Sequence, residues 1–152
     1  MEHVLNAQDD PPGVGLAANQ VGLNLSIFII RPTEKAKVKV FINPKVIKTS
    51  AVEERSGKTV EVKKKKRKKK VKLEGCLSIP RVWGPIKRAG RVFLKYKDLT
   101  GKDCLKWFTG FEAIIIQHEV DHLNGVVFTQ RSLEQKKQLY REENKELVKI
   151  EY

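Results

Sequence analysis

Short apolar stretches, separated by turn-forming residues, make up most of the chain before residue 109 and predict β-strands. Residues 26–30 and 38–42 are rich in β-branched side chains, which favour extended backbone. Asn43 and Pro44 predict the end of the second of these strands. Residues 1–10 ahead of them predict the tail of a short helix.

A β-hairpin is predicted by residues 91–97 and 104–108, which flank a turn at residues 100–101. The first of its strands alternates apolar and polar positions. That alternation places three apolar side chains on one face: Val92, Leu94 and Tyr96.

Two helices are predicted in the last third of the chain. The clearest begins at Thr109, where Thr109 and Glu112 fit a capping box, and ends at Gly125. A second, rich in Lys and Glu, is predicted as a C-terminal surface helix over residues 132–152. Its apolar positions are Leu133, Leu139, Leu147 and Ile150.

The positive charge of the chain is concentrated in one segment. The net charge is +13, and residues 63–70, from Lys63 to Lys70, form an unbroken run of eight basic residues. Without this run the net charge is +5, so the remainder is only moderately basic. Because like charges at this density repel one another, residues 48–72 are expected to form an exposed, basic inserted loop or a ragged hairpin arm.

Length and composition indicate one folded domain over residues 1–152. No apolar run approaches the roughly 18 residues of a membrane span, and the first residues do not form a secretory signal. The two cysteines are too few for a disulfide framework, so we expect a reducing, cytoplasmic compartment.

His118, Glu119 and His122 form the pattern His-Glu-x-x-His within the first predicted helix. Residues four apart share a helix face, so both imidazoles can bind one metal ion, and Glu119 can reach a water beside it. The apolar residues 114–116 bury this helix, and buried ionisable groups need a partner such as a metal. The alternatives are a solvated helix face or two core histidines bonded to backbone.

A catalytic metal site of this type needs a third protein ligand. Cys76 is flanked by turn-forming residues, and its thiolate would suit a borderline metal ion. The alternative for Cys76, as for Cys104, is a small buried apolar side chain. Spacing alone leaves the choice between the two cysteines open.

Three blocks of the sequence resemble peptide deformylases. They are Gly-Val-Gly-Leu-Ala-Ala-Asn-Gln at residues 13–20, Glu-Gly-Cys-Leu-Ser at 74–78 and Gln-His-Glu-Val-Asp-His-Leu at 117–123, in the order of that family. The resemblance implies an α+β fold with antiparallel β-sheets around a central metal-binding helix. It also implies an enzyme of protein biosynthesis, a metal-dependent hydrolase that removes the N-formyl group from formyl-methionyl nascent peptides and releases formate.

The resemblance implies a role for each residue of these blocks. It selects as ligands of one divalent metal ion Cys76, His118 and His122. The expected ion is Fe2+, which Zn, Ni or Co can replace. Glu119 would take a proton from water and pass it to the leaving amine, while the Gln20 side-chain amide and the Leu77 backbone N–H would bind the oxyanion.

The resemblance also implies a binding site for the methionyl peptide. Glycines in the first block allow an extended peptide to approach the backbone and pair with it as an added strand. The residues expected around the peptide are Val14, Gly15, Phe111 and Ile114. Ordinary core packing is the alternative for the apolar ones and is favoured for Ile115. Asp121 is expected to pair with Arg88 and so support the helix.

Two features depart from the family pattern. Only twelve residues precede Gly13, where family members carry a further strand and helix, so we expect an N-terminally shortened form. The run from Lys63 to Lys70 is an insertion that predicts attachment to the ribosome through the phosphates of its RNA. The alternatives for this run are a solvated loop and a nuclear-localisation signal.

Two other functions fit parts of the sequence. A zincin-type endopeptidase shares His-Glu-x-x-His but takes its third ligand downstream, and no histidine follows His122. A basic RNA-binding protein with a structural metal site would have no need of Glu119 beside the ligands. We therefore expect a monomeric deformylase that binds no membrane, in the cytoplasm of a bacterium or a phage-infected host, with an organelle left open.

Overall fold

The computed structural model describes the backbone of residues 1–9, 12–50, 52–53, 58–62 and 69–152, and the side chains of these residues outside 51–71. The chain divides into two compact units. The first unit consists of Met1–Val52 and Ala89–Gly125, and the second of Glu53–Arg88 and Val126–Tyr152. Each unit contains one five-stranded sheet, and the neighbouring strands in the described part of each sheet are antiparallel.

The strands, in chain order, are β1 (Gly15–Ala17), β2 (Ile27–Ile30), β3 (Lys39–Thr49), β4 (Val52–Glu53), β5 (Lys58–Val62), β6 (Lys69–Cys76), β7 (Ile79–Gly84), β8 (Arg88–Ala89), β9 (Arg91–Lys97), β10 (Asp103–Thr109), β11 (Tyr140–Glu143) and β12 (Glu146–Lys149). The helices are α1 (Glu2–Asn6), the 3-10 helix η1 (Ala18–Val21), α2 (Gly110–Leu123) and α3 (Phe128–Glu134). The first sheet has the order β1-β2-β3-β9-β10, and the second β12-β11-β7-β6-β5. Antiparallel sheets with few helices confirm the predicted α+β class.

The core of the first unit is an aromatic cluster beneath α2. The ring of Phe41 lies at its centre, with the ring centroids of Phe28 and Tyr96 each 4.7 Å away. The predicted apolar face of β9 is buried, and α2 adds Ile115 and Ile116 to the same cluster. The hydrophobic effect therefore fixes α2 against the first sheet.

The strand predicted to end at Asn43 and Pro44 continues through them, so this boundary was wrong. β3 runs to Thr49, and its pairing with β9 shifts register between Ile42 and Lys45. Asn43 has a φ of 50° at this point. A β-bulge therefore accommodates Pro44, which cannot donate a hydrogen bond to the sheet.

The predicted central helix is confirmed, but its predicted capping box does not form. The Thr109 side chain makes no capping hydrogen bond, and Glu112 forms an ion pair with Lys39 of β3 instead. At the other end, Gly125 has a φ of 73°, the left-handed conformation that ends many helices. The start of α2 is thus tied to the neighbouring strand.

The predicted surface helix over residues 132–152 is wrong, because α3 ends at Glu134. Lys136 adopts a φ of 52°, a conformation usually supplied by glycine. The N–H groups of Lys136 and Lys137 donate to the carbonyls of Leu133 and Ser132 over 2.8 and 2.9 Å. This pair of bonds is a Schellman motif, which stops the helix without a glycine.

A hairpin of β11 and β12 follows α3. Asn144 and Lys145, between the two strands, have φ values of 49° and 66°. Two consecutive positive φ values match the twist of the flanking strands, which favours a two-residue hairpin turn. Leu133, Leu139 and Leu147, which were predicted to belong to one helix, therefore do not share an element: Leu133 is in α3 and Leu147 is in β12.

The second unit combines a small apolar core with directional polar bonds. Its buried cluster contains Ile86, Phe128 and Leu139. The Arg88 guanidinium donates two hydrogen bonds to the Glu74 carboxylate, over 2.8 and 2.9 Å. These bonds hold β6 to the chain that enters β8.

The basic insertion is described only at its base. Lys58–Val62 pairs with the first residues of β6, as expected of a hairpin arm. Residues 63–68, which hold most of the run from Lys63 to Lys70, lie outside the described residues. In the part of the chain that is described, no helix has the length and apolar composition needed to cross a membrane.

Candidate metal centre

The helix α2 presents two imidazoles to one point. His118 and His122 are one turn apart, and their Nε2 atoms are 3.1 Å from each other. The two rings are nearly perpendicular, at 78°. Two ring nitrogens at this distance can share one proton, or both can face the same cation.

The thiol predicted to join them is close by. Cys76 is the last residue of β6, directly before the turn at residues 77–78. The ligand atoms of Cys76, His118 and His122 all lie within 4.8 Å of one another. Within the described residues, this is the one group of three histidine, cysteine or acidic side chains found close enough to hold a metal ion.

The second cysteine lies elsewhere. The Sγ of Cys104 is 3.9 Å from Oδ2 of Asp98 and 3.7 Å from the carbonyl oxygen of Lys102. Burial, and to a smaller extent the neighbouring Cys104, raises the pKa of Tyr96 to about 12. The geometry thus supports the choice of Cys76 that spacing left open.

This donor set fits a divalent transition metal. One thiolate and two imidazoles are borderline ligands of the kind that zinc and ferrous iron accept. With metal–nitrogen bonds of about 2.0–2.1 Å, a tetrahedral site needs its two nitrogens about 3.3 Å apart. The 3.1 Å between the Nε2 atoms of His118 and His122 is close to that value. Three protein ligands leave one position for water or substrate.

Glu119 is buried beside a strand that leaves it little room. Its side chain is 3% exposed. A Cβ placed on Gly15 of β1 would lie 2.8 Å from Cδ of Glu119 and 2.7 Å from Cγ2 of Ile115. Real Cβ atoms do not approach so closely, so only glycine allows β1 to run this near the carboxylate.

The Gln20 amide is oriented by a bond to its own loop. The backbone N–H of Ala17 donates to Oε1 of Gln20 over 2.8 Å. With its oxygen turned to that N–H, the amide directs its –NH2 end away from Ala17. Gln20 therefore has the orientation expected of a hydrogen-bond donor.

Asn19 connects this loop to α2, and sequence reasoning missed it. Its Nδ2 donates to the carbonyl oxygen of His122 over 2.5 Å. The same carbonyl accepts from the backbone N–H of Gly125 over 2.9 Å, so the bond from Asn19 adds a second donor at the end of the helix. An amide side chain beside Gln20 in the first sequence block was the available signal.

The other predicted residues are described, but their roles stay predictions. Leu77 lies in the turn after Cys76. Among the expected peptide-binding residues, Val14 packs against the apolar core, Ile114 is buried, and Phe111 is 44% exposed in the first turn of α2.

Two further predictions concerned Ile115 and Asp121 of α2. Ile115 is a buried core residue, as favoured above. Asp121 is buried, and Arg88 forms the ion pair with Glu74. The expected pair of Asp121 with Arg88 remains a prediction.

The chain matches a known protein family. A family model described as polypeptide deformylase matches residues 1–138. The peptide deformylase of Borreliella burgdorferi is similar to the chain, with 42% identity over 125 residues. The similarity covers 82% of the chain and 66% of that relative.

Solved structures of similar sequence have a similar fold. A peptide deformylase from Synechococcus elongatus, in complex with actinonin, has a TM-score of 0.60 and 38% identity, covering 79% of the chain and 56% of that structure. A Met-Ala-Ser-bound class I type b peptide deformylase from Acinetobacter baumannii has a TM-score of 0.64 and 32% identity, covering 85% and 75%. Compared with the first of its relatives by sequence, including that of Borreliella burgdorferi, the chain spans slightly less than two thirds of their length.

Proposed function

Since the chain belongs to the polypeptide deformylase family, we propose that it is a metal-dependent hydrolase that removes the N-formyl group from formyl-methionyl nascent peptides and releases formate. The observation that carries the proposal is the group of Cys76, His118 and His122, whose ligand atoms lie within 4.8 Å of one another. A divalent ion held there would lower the pKa of a water molecule and polarise the formyl carbonyl. We infer Fe2+ as the native ion, with Zn, Ni or Co as substitutes.

Glu119 moves the proton in this proposal. Its carboxylate accepts a proton from the attacking water and delivers it to the nitrogen of the leaving amine. The side chain is buried against Gly15 and Ile115, which limits its motion and keeps bulk water from it. A fixed carboxylate needs little reorganisation before each transfer.

The oxyanion of the tetrahedral intermediate is bound by the Gln20 amide and the Leu77 backbone N–H. The bond from Ala17 to Oε1 of Gln20 supports this role, because it turns the –NH2 end of the amide away from Ala17. Each such donor contributes on the order of 3 kcal/mol to the transition state.

The peptide pairs with β1. This strand is the first in the order of its sheet, so one of its edges faces away from β2 and can accept an added strand. Val14, Gly15, Phe111 and Ile114 surround the methionyl residue in this proposal. The Met-Ala-Ser bound to the Acinetobacter baumannii relative supports a peptide of this class.

The proposed activity also suggests an oligomeric state, a compartment and a partner. We infer that residues 1–152 form a monomeric catalytic domain in the cytoplasm, with residues 48–72 as an inserted basic loop. The run from Lys63 to Lys70 attaches the enzyme to the RNA of the ribosome, close to its substrate.

The test is formate release from formyl-Met-Ala-Ser by metal-loaded protein. Glu119→Ala is expected to lower kcat by at least a hundredfold, because proton transfer is lost, while bound metal per chain stays nearly unchanged. Glu112→Ala removes a carboxylate from the same helix, where it pairs with Lys39, and should keep wild-type turnover. Full activity of Glu119→Ala would refute the mechanism, and casein cleavage by the wild type would favour the endopeptidase.

A further inference from the structure

We propose that the outer face of the first sheet binds single-stranded RNA. This basic aromatic face consists of outward side chains of β3, β9 and β10: Lys45, Lys48, Arg91, Phe93, Lys95 and Trp107. None of these six residues belongs to the run from Lys63 to Lys70.

Strand alternation gathers these side chains on one surface. Val92, Leu94 and Tyr96 of β9 point into the core, so the residues between them point outward. In the sheet register, Phe93 lies opposite Trp107 on one side and Lys48 on the other. Directly opposite residues of antiparallel strands share a face, which makes the surface continuous across the three strands.

Aromatic rings form a platform on this face. The Trp107 side chain is 41% exposed, and its ring centroid lies 5.0 Å from that of Phe93, with 30° between the ring planes. The Arg91 guanidinium lies 4.8 Å from the Trp107 centroid. Exposed aromatic rings beside guanidinium groups are the surfaces on which unpaired bases stack.

The three strands that form this face contribute much more positive than negative charge. Lys45 lies directly opposite Lys95, and like charges in this position destabilise a sheet. β3, β9 and β10 contain a single acidic residue, Asp103, which pairs with Lys97 over 3.1 Å. A bound polyanion would relieve the repulsion between the two lysines and release counterions from its own phosphates.

A single strand fits this face better than other occupants. Contacts between protein copies are depleted in lysine at their centre, whereas here Lys48 lies directly opposite Phe93 and Lys95 follows it on the same face of β9. The face is also a sheet of side chains with no helix that could enter the major groove of a duplex. The choice of RNA over DNA rests on the proposed function, because formyl-methionyl peptides emerge from a particle rich in RNA.

Binding of a labelled twelve-nucleotide oligouridine, followed by anisotropy across a series of KCl concentrations, tests the proposal in the full chain. Trp107→Leu should weaken binding about tenfold, because a stacked base is lost. The double variant Lys45→Gln, Lys95→Gln should bind more weakly and lower the slope of log K against log salt by about 1.4. The matched double variant Lys87→Gln, Lys149→Gln removes the same charge from the second unit and should stay within about twofold of wild type.

A second measurement covers the case in which Trp107→Leu fails to fold. Oligouridine should quench the tryptophan emission of the wild-type protein, whereas an abasic oligomer of equal length should not. Wild-type affinity in folded Trp107→Leu, equal quenching by both oligomers, or tighter binding to DNA or to anionic lipid vesicles would overturn the proposal. Deformylation by these variants should equal that of wild type, so a failure here is distinct from a failure of the proposed function.

Discussion

The two units of the molecule hold the expected metal ligands by different means. In the first, a large apolar cluster around Phe41 packs against α2, which carries His118 and His122. In the second, the apolar cluster of the described residues is smaller; Cys76 packs against it, and the residues before Cys76 also make specific contacts. Apolar packing is distributed over many atoms, whereas a few directional bonds can be removed by one substitution.

In the second unit, these specific contacts involve Glu74 and Gly75, the two residues before Cys76. Glu74 accepts two hydrogen bonds from Arg88. A Cβ on Gly75 would lie 2.6 Å from the ring of Trp83, whose Nε1 donates to Glu142 over 2.9 Å. The comparison therefore indicates that Cys76 depends on its neighbours more sharply than the histidines do.

The largest effect is expected from Arg88→Ala. The side chains of Arg88 and Glu74 are 6% and 10% exposed, so the substitution leaves a buried carboxylate without its main partner. Breaking a buried pair in this way costs about 3–5 kcal/mol. Urea unfolding of the metal-free protein measures this loss.

The matched control is Arg131→Ala, which breaks an ion pair with Glu134 on the surface of α3. An exposed pair contributes about 0.5 kcal/mol. If Arg88→Ala and Arg131→Ala lowered the free energy of unfolding equally, the buried bonds of the second unit would stabilise it no more than an exposed ion pair does.

A smaller effect, but a sharper contrast, is expected from adding one methyl group to each unit. Gly15→Ala pushes on the Glu119 carboxylate, so kcat should fall about a hundredfold through a displacement near 1 Å. Bound metal should be retained. Gly75→Ala pushes instead on the Trp83 ring beside Cys76 and should cost about 2 kcal/mol of stability through overpacking.

The readouts for this pair are formate release, bound metal per chain and the urea midpoint. Gly75→Ala should also bind metal more weakly, since Cys76 is the next residue. If both alanines altered turnover and metal content in the same proportion, the division of roles between the two units would be wrong.

The smallest effect concerns the turn between β9 and β10. A hydrogen bond from the Thr100 side chain, followed by backbone hydrogen bonds from Thr100 and Lys102, holds the pKa of Asp98 below its ordinary value. A lowered pKa in the folded state means that Asp98 stabilises the fold above its unfolded pKa, and that this contribution is lost as pH falls through the folded pKa. Asp98→Ala should therefore lower Tm slightly at neutral pH, and the difference from wild type should vanish in strong acid. A difference that is independent of pH would contradict this assignment.

The sequence predicted those parts of the site that depend on local periodicity. His118, Glu119 and His122 lie on one uninterrupted helix, so their spacing predicted that the two imidazoles share a helix face. Cys76 lies on β6, far from α2 in sequence, so helix periodicity could not predict its distance from the histidines, and only the family resemblance selected it over Cys104. Asn19 was missed because its bond to His122 joins residues far apart in sequence.

The errors in the fold arise where residues adopt unusual backbone conformations. Lys136 and Lys145 take positive φ values that favour glycine, so nothing in their side chains predicted the end of α3 or the final hairpin turn. Asn43 does the same within β3, where the bulge carries the strand past Pro44. In each case tertiary pairing outweighs local preference.

The partners of β6 change partway along the strand. Up to Leu73 its residues pair with β5, and from Glu74 onward they pair with β7. Residues gained or lost between Val62 and Lys69 therefore lengthen or shorten the arm without altering the register that carries Cys76. Such a division lets a lineage remodel its insertion, or an engineer graft a reporter into it, while the ligand keeps its position.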